Sequence, residues 1–390
     1  MSVAIIGGGA SGLFVAALLN NINEDIFLFE KNDKLGKKIL ASGNGKCNFS
    51  NINSLDGKYN DEFANDVIDK FTVQKTLDQF SKIGLIYKSD DQGRCYPVSE
   101  CASSVLDCLK MNLNNVNIML ESVVRNIVPE GNGCKVVYND GKEKMFDYVV
   151  CCSGSLASNL GSEKSYSYLN NLDIDIIPFK SSLTPIIVKE NVKILSGVRI
   201  KCKVQLVNEN NCVLYSEYGE VIFKDNGLSG IAVFNATSII NRNKGKYKIV
   251  LDISNNINDN KLRNYFKNKN VKDLFKGFLN DKLGQYIKEK CNVDKYDRIN
   301  DSDVNNLIKV LKNLEFTVVD LYPVKDSQVC SGGVSLSELN YDLSLKKHPQ
   351  IFIAGELMDV DGMCGGYNLQ FAWSSAGVIA NSIKERLIKK

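Results

Sequence analysis

The stretch "SVAIIGGGASGLFVAALLNNINEDIFLFE", Ser2–Glu30, sets the architecture. "SVAII" is a short apolar run closed by glycine, the pattern of a parallel strand buried on both faces. A turn of small residues leads into "LFVAALLNN", which reads as a helix, and "DIFLFE" reads as a second strand. Strand, glycine turn, helix and strand in about thirty residues make the unit that binds dinucleotides. Gly7, Gly9 and Gly12 follow the G-x-G-x-x-G spacing. The first permits the tight turn, the second lets backbone approach a pyrophosphate, and the third lets helix and sheet close up. Ala10 and Ser11 stand at the helix N-terminus, whose free N–H groups and dipole favour an anion. Glu30 ends the second strand, where a carboxylate can accept from a ribose hydroxyl. This unit by itself does not separate FAD from NAD.

The next loop, "KNDKLGKKILASGNGKCNFSN" (31–51), favours FAD. Lys31, Lys34, Lys37 and Lys38 cluster in it; some are solvated, and Lys31 and Lys38 are candidates for an anionic cofactor. Ser42, Gly43, Lys46, Cys47 and Asn48 belong to an acid-free polar segment whose backbone N–H groups can form an anion nest. A plain NAD dehydrogenase has no need of a second cradle here, whereas a cofactor with a ribityl chain does.

The third stretch lies near the C-terminus. "FIAGELMDVDGMCGGYNLQFAWSSAG" (352–377) is an apolar strand, a glycine-rich loop and the start of an amphipathic helix. Gly355 and Glu356 end the strand, and Asp361 is placed near a ribityl or pyrophosphate group. Gly365, Gly366, Tyr367, Asn368 and Gln370 lead into the helix. A helix N-terminus at the pyrimidine edge of a flavin favours the negative charge of its reduced form. Trp373 reads as core packing.

Five ordered segments resemble the BaiN-like family of NAD(P)/FAD-dependent flavoproteins. They are "KLGKKILASGNGKCNFSN", "GRCYPVSECASSVLDCL", "GEVIFKDNGLSG", "CSGGVSLSEL" and the C-terminal stretch. This chain has Lys46 where the family usually has Arg, and Asn44 where it has Gly. Lys lacks the planar fork of Arg, so a bidentate contact at position 46 is lost. The resemblance implies an α/β fold: a Rossmann-like FAD domain of glutathione-reductase type, interrupted by a β-rich domain that carries a helical insert. The FAD domain is expected at 1–165 and 331–390, the β-rich domain at 166–255 and 314–330, and the insert at 256–313. It also places Val124, by its backbone, at adenine, and Ser153 and Gly154 below the nucleotide.

The implied activity is reduction of an activated C=C, or a related small organic acceptor, by hydride from flavin N5. NAD(P)H is the expected transient co-substrate. No second G-x-G-x-x-G follows a strand, so nicotinamide has no Rossmann domain of its own. The alternatives are an aminoacetone-type amine oxidase using O₂ and a tRNA-modifying flavoprotein. Tyr367 is the first candidate proton donor, with packing against the cofactor as its other reading, and Lys46 is a weaker catalytic candidate.

Bulk properties narrow the partners. The 390 residues carry a net charge of +3, which argues for no nucleic acid, and the glycines in the one long apolar stretch argue against a membrane span. Twelve cysteines include no Cys-x-x-Cys pair, so reduced thiols in cytoplasm and no metal are expected. His348, the one histidine, reads as a solvated turn.

Overall fold

A computed structural model of the chain describes residues 2–53, 55–158, 166–267 and 269–388. The chain forms two units, Met1–Lys180 with Gln328–Lys390, and Ser181–Ser327.

The first unit is built on a five-stranded parallel sheet. Its strand order is Ile351–Ile353, Tyr148–Cys151, Ser2–Ile6, Asp25–Phe29 and Val116–Met119. Ser2–Ile6 is central: Ile5 lies between Val150 and Leu28, and Val3, Ala4 and Ile5 are fully buried. That is why its sequence is a continuous apolar run rather than an alternating one. Helix Ala10–Leu19 packs against the C-terminal helix Tyr367–Ile388. At their contact Trp373 is fully buried against Phe14 and Phe80, and its indole N–H donates to Phe49 O at 2.8 Å. A large aromatic with its one polar atom satisfied fills core space, as the sequence indicated.

A three-stranded meander, Val124–Glu130, Gly133–Tyr138 and Lys142–Phe146, sits in the same unit. The segment around Val116 continues the parallel sheet instead of joining the meander. Residues 62–83 form two helices, Phe63–Lys70 and Val73–Lys82; Thr72 accepts from Lys75 N and starts the second.

The second unit is a closed antiparallel barrel. Its order is Ile186–Val188, Gly227–Ser229, Val213–Lys224, Arg199–Asn208, Tyr247–Asp252 and Leu314–Leu321. Helices Asp259–Phe266, Asp281–Lys290 and Asp301–Lys312 lie between its last two strands. Each begins at an asparagine, Asn258, Asn280 or Asn300, whose side chain accepts from the first turn. Each such cap contributes about 1 kcal/mol.

Two domain boundaries differ from expectation. The position 165 lies outside the described residues, and 166–180 belongs with the first unit because Tyr168, Leu169 and Leu172 are buried in its core. The helices of 256–313 are not a body apart: Leu262, Ile287 and Leu307 share one core with Leu206 and Phe316 of the barrel.

Candidate functional site

All three stretches that suggested a cofactor lie in the first unit, and the fold brings them together. At the first turn Gly7 has φ +107 and its N–H donates to Phe29 O at 2.8 Å. A Cβ on Gly12 would lie 1.9 Å from Gly7 O, so only glycine lets the helix close on the strand. A Cβ on Gly9 would meet nothing within 4 Å. That open approach, at the start of a helix with no side-chain cap, is what a pyrophosphate needs. Ala10 is partly exposed there, while the Ser11 side chain turns inward and faces Gly355.

Glu30 is buried and organises this turn. Its Oε2 accepts from Gly8 N at 2.8 Å, and its Oε1 accepts from the Asn32 backbone and side chain. Its carboxylate therefore holds the glycine loop. Ser122 N donates to Glu30 O at 2.8 Å, which sets Val124 two residues from the Glu30 strand end. Ser153 accepts from Tyr168 OH at 2.9 Å, and Gly154 is left-handed with open space beside it.

The lysine loop divides. Lys31 is half-buried, and desolvation lowers its pKa. Lys38 pairs with Glu356 at 2.7 Å, and Ser155 donates to the same carboxylate oxygen at 2.9 Å. Glu356 is thus tied to the Lys38 helix across 318 residues of sequence. Lys46 takes a different place: it is exposed and pairs with Glu100 at 2.7 Å, a carboxylate that Lys88 shares. Hydrogen bonds from the two lysines hold the Glu100 carboxyl down to about 2.

Ser42–Gly45 is a tight turn in which Gly43 and Asn44 are left-handed, and Ser42 donates to Ile39 O. Cys47 is buried with φ +54, and burial pushes its thiol up to about 11. It is a neutral thiol at physiological pH, not a nucleophile. Asn48 is the telling residue. Its Oδ1 is buried without a hydrogen-bond partner, 2.7 Å from where a Cβ on Gly366 would lie. A buried amide oxygen with no donor is costly unless a ligand supplies one.

The C-terminal loop is held by the chain just after Asn48. Asn51 Nδ2 donates to Gly365 O at 2.8 Å. Asn60 accepts from Asp361 N at 2.8 Å and donates to Asp361 O and Asp359 O. Tyr59 OH donates to Tyr367 O at 2.8 Å, and the two rings meet edge to face. Asp361 is fully buried, and Gly365 and Gly366 carry φ +129 and +96. Burial raises the Tyr367 pKa. Asn51, Tyr59 and Asn60 were not singled out from sequence; the only signal was the polar run directly after the lysine loop.

Two predicted contacts have other roles. Gln370 is fully buried, accepts from Ser50 Oγ and donates to Thr76 Oγ1 and Ser374 Oγ. One turn into the helix, its side chain is spent on core hydroxyls. The Asn368 side chain is used by Gly362 N, Gly362 O and Met363 O, so it closes the loop on itself. His348, read as solvated, is partly buried and lies 3.2 Å from Leu172 O. No cluster of metal-ligating side chains occurs among the described residues, and no helix there is long and apolar enough to cross a membrane.

The donor set fits FAD. The open approach at Gly9, the open space beside Gly154 and the orphaned Asn48 oxygen leave room and an acceptor for an elongated dinucleotide.

Comparison with known proteins agrees. The HI0933-like protein Rossmann domain family matches residues 1–382. A 3-dehydro-bile acid delta(4,6)-reductase of Clostridium scindens is 30% identical over 412 residues, covering 98% of this chain and 99% of that protein. Ribosomal RNA dihydrouridine synthases of Escherichia coli and Haemophilus influenzae are 26% and 27% identical, each over 97% or more of both chains. The chain belongs to the HI0933-like Rossmann family, that of the BaiN-like flavoproteins. It is an FAD-dependent oxidoreductase.

Proposed function

We propose that the protein is an NAD(P)H-dependent reductase of a C=C bond conjugated to a carbonyl. The observation that carries this reading is a shared reaction class. The bile acid reductase and the dihydrouridine synthases, related over their full lengths, are each named for saturating such a bond. The chemistry that bound FAD supplies is hydride exchange at N5, taken from NAD(P)H and given to the carbon remote from the carbonyl.

The residues of the chain have three tasks. Gly7–Gly12 and Glu30 bind the pyrophosphate and ribose, and Asn48 accepts through Oδ1 at the flavin end. The start of the C-terminal helix, held by Asn51, Asn60 and Asn368, favours negative charge on the ring system. The Tyr367 hydroxyl gives the proton that the carbon next to the carbonyl must gain; its raised pKa keeps it protonated. Lys46, paired with Glu100, is the weaker proton candidate.

Anaerobic mixing of the holoenzyme with NADPH or NADH tests the reading. Fast bleaching of the flavin, reversed by an enone steroid, is expected. Bleaching only by an amine, with peroxide formed in air, would make the protein an oxidase instead.

A further inference from the structure

The ring of Tyr367 has three neighbours within the first unit. A Cβ on Gly365 would come within 3.2 Å of its edge. Tyr59 meets it edge to face, with ring centres 6.1 Å apart. The third neighbour is a cation: Lys58 Nζ lies 5.8 Å from the ring centre.

Backbone contacts fix Lys58 in that place. Met363 N donates to Lys58 O at 2.8 Å, and Lys58 N donates to Leu55 O at 3.0 Å. Tyr59 forms an antiparallel bridge with Gly362, and Asn60 accepts from Asp361 N. The segment 58–60 is thus laced to the loop that opens the C-terminal helix, and it carries an ammonium to the helix start.

Charge sets Lys58 apart from the other lysines of the site loops. Lys38 is committed to Glu356 and Lys46 to Glu100, each at 2.7 Å. Lys58 is half-buried, yet its ammonium has no carboxylate partner and no hydrogen bond among the described residues. A ring face attracts a cation but leaves its donors unused, and an ammonium drawn partly out of water gains from an anion brought to it. A fixed cation with no anion of its own, beside the flavin loop, suits charge that develops on a ligand during reaction.

We propose that Lys58 is a catalytic residue, whose ammonium takes the negative charge that develops on the carbonyl oxygen of the enone. This rests on the C=C reductase reading. The hydride that bound FAD supplies forms a C–H bond at the carbon remote from the carbonyl. The C=C electron pair shifts toward the carbonyl carbon, and the C=O pair moves onto oxygen as an enolate beside Lys58. When the C=O bond re-forms, the carbon next to it takes the Tyr367 proton, and water returns a proton to the tyrosine oxygen. The enone gains one hydride and one proton, and NAD(P)H is oxidised to NAD(P)⁺ in restoring the flavin.

The test uses the holoenzyme and two variants, Lys58→Met, which keeps the stem without the charge, and Lys58→Arg, which keeps the charge. Oxidised enzyme is titrated with p-nitrophenolate, whose oxygen anion stands in for the enolate, and a long-wavelength charge-transfer band reports binding. Kd is expected to rise at least about tenfold in Lys58→Met and to recover in Lys58→Arg. In stopped flow, reduction by NADPH should keep the parent rate in Lys58→Met, while transfer to an enone steroid slows by about a hundredfold. Flavin content and midpoint potential should stay at parent values. Parent-like phenolate affinity and enone transfer in Lys58→Met, or no phenolate band in the parent, would overturn the proposal. So would a lowered midpoint potential with slowed reduction by NADPH, which would assign the charge to the flavin. If the parent and Lys58→Met reduce the enone equally, the Lys58 role alone fails. If NADPH leaves the parent flavin oxidised, the reductase reading itself fails.

Discussion

Asn51 donates through Nδ2 to the backbone oxygen of Gly365 at 2.8 Å, across 314 residues of sequence. This bond fastens the loop that opens the C-terminal helix to the end of the lysine loop. With Asn48 beside Gly366, it makes two distant stretches one wall of one site. Replacing Asn51 by Ala should leave the core intact and loosen that wall. The FAD dissociation constant is expected to rise about tenfold, the equivalent of one lost hydrogen bond of about 1 to 2 kcal/mol. Titration of the apoprotein with FAD measures it.

Two glycine substitutions should part company. Gly12→Ala places a Cβ 1.9 Å from Gly7 O and should impair folding. Gly9→Ala meets nothing in the protein, and its φ of −87° suits alanine, so the melting temperature should hold. Its flavin affinity should nonetheless fall, because the methyl occupies the space kept for the pyrophosphate. Retained affinity in Gly9→Ala would remove that turn from the site.

Such contrasts mark how far the sequence could be read. The first turn was legible because strand period, glycine spacing and Glu30 all lie within one local unit. The pairing of that unit with Gly355–Gly366 was legible only as motif, since its geometry depends on contacts some 300 residues apart. The core bonds of Gln370 were not legible, because a helix period places it one turn from Tyr367 but does not say which face is core. Asn51, Tyr59 and Asn60 escaped because they act through backbone groups of the other loop, which leaves no spacing pattern.

Gln370→Leu tests the core role. It strands the Ser50 and Thr76 hydroxyls in the core, while Ser374 keeps its bond to Phe71 O, so stability should drop by about 2 kcal/mol or more. Flavin content and turnover of the folded fraction should be unchanged. Denaturant unfolding beside an activity assay gives both readings.

Tyr367→Phe should bind FAD normally and be reduced by NAD(P)H at the parent rate. Its transfer to an enone is expected to slow by about a hundredfold, the usual share of a general acid. Since burial raises the Tyr367 pKa, the parent rate should stay flat through neutral pH and fall only above pH 10.0, where the donor is lost. A flat profile that survives the Phe substitution would leave packing as the only role of the ring.

Buried thiols predict the alkaline limit of stability. Burial pushes Cys47 and Cys95 up to about 11, and Cys134, Cys152 and Cys202 up to about 12. The unfolded chain releases these protons near the ordinary value of 9.0. The folded state holds them longer, so their contribution is complete below 9.0 and is lost as pH rises through the folded values. The melting temperature should be about level near pH 8 and fall by about 5 °C or more near pH 10.5. Alkylation at neutral pH should reach the exposed Cys101 and Cys212 and spare Cys47.

The most direct measurement is a single anaerobic turnover. Holoenzyme reduced by NADPH carrying deuterium at the transferred position is mixed with an enone steroid and, separately, with a uridine-containing RNA. Recovery of the oxidised flavin spectrum, with deuterium on the saturated carbon remote from the carbonyl in at least one acceptor, is the predicted result. A flavin that NADPH leaves oxidised, but that an amine reduces with peroxide appearing in air, would contradict it.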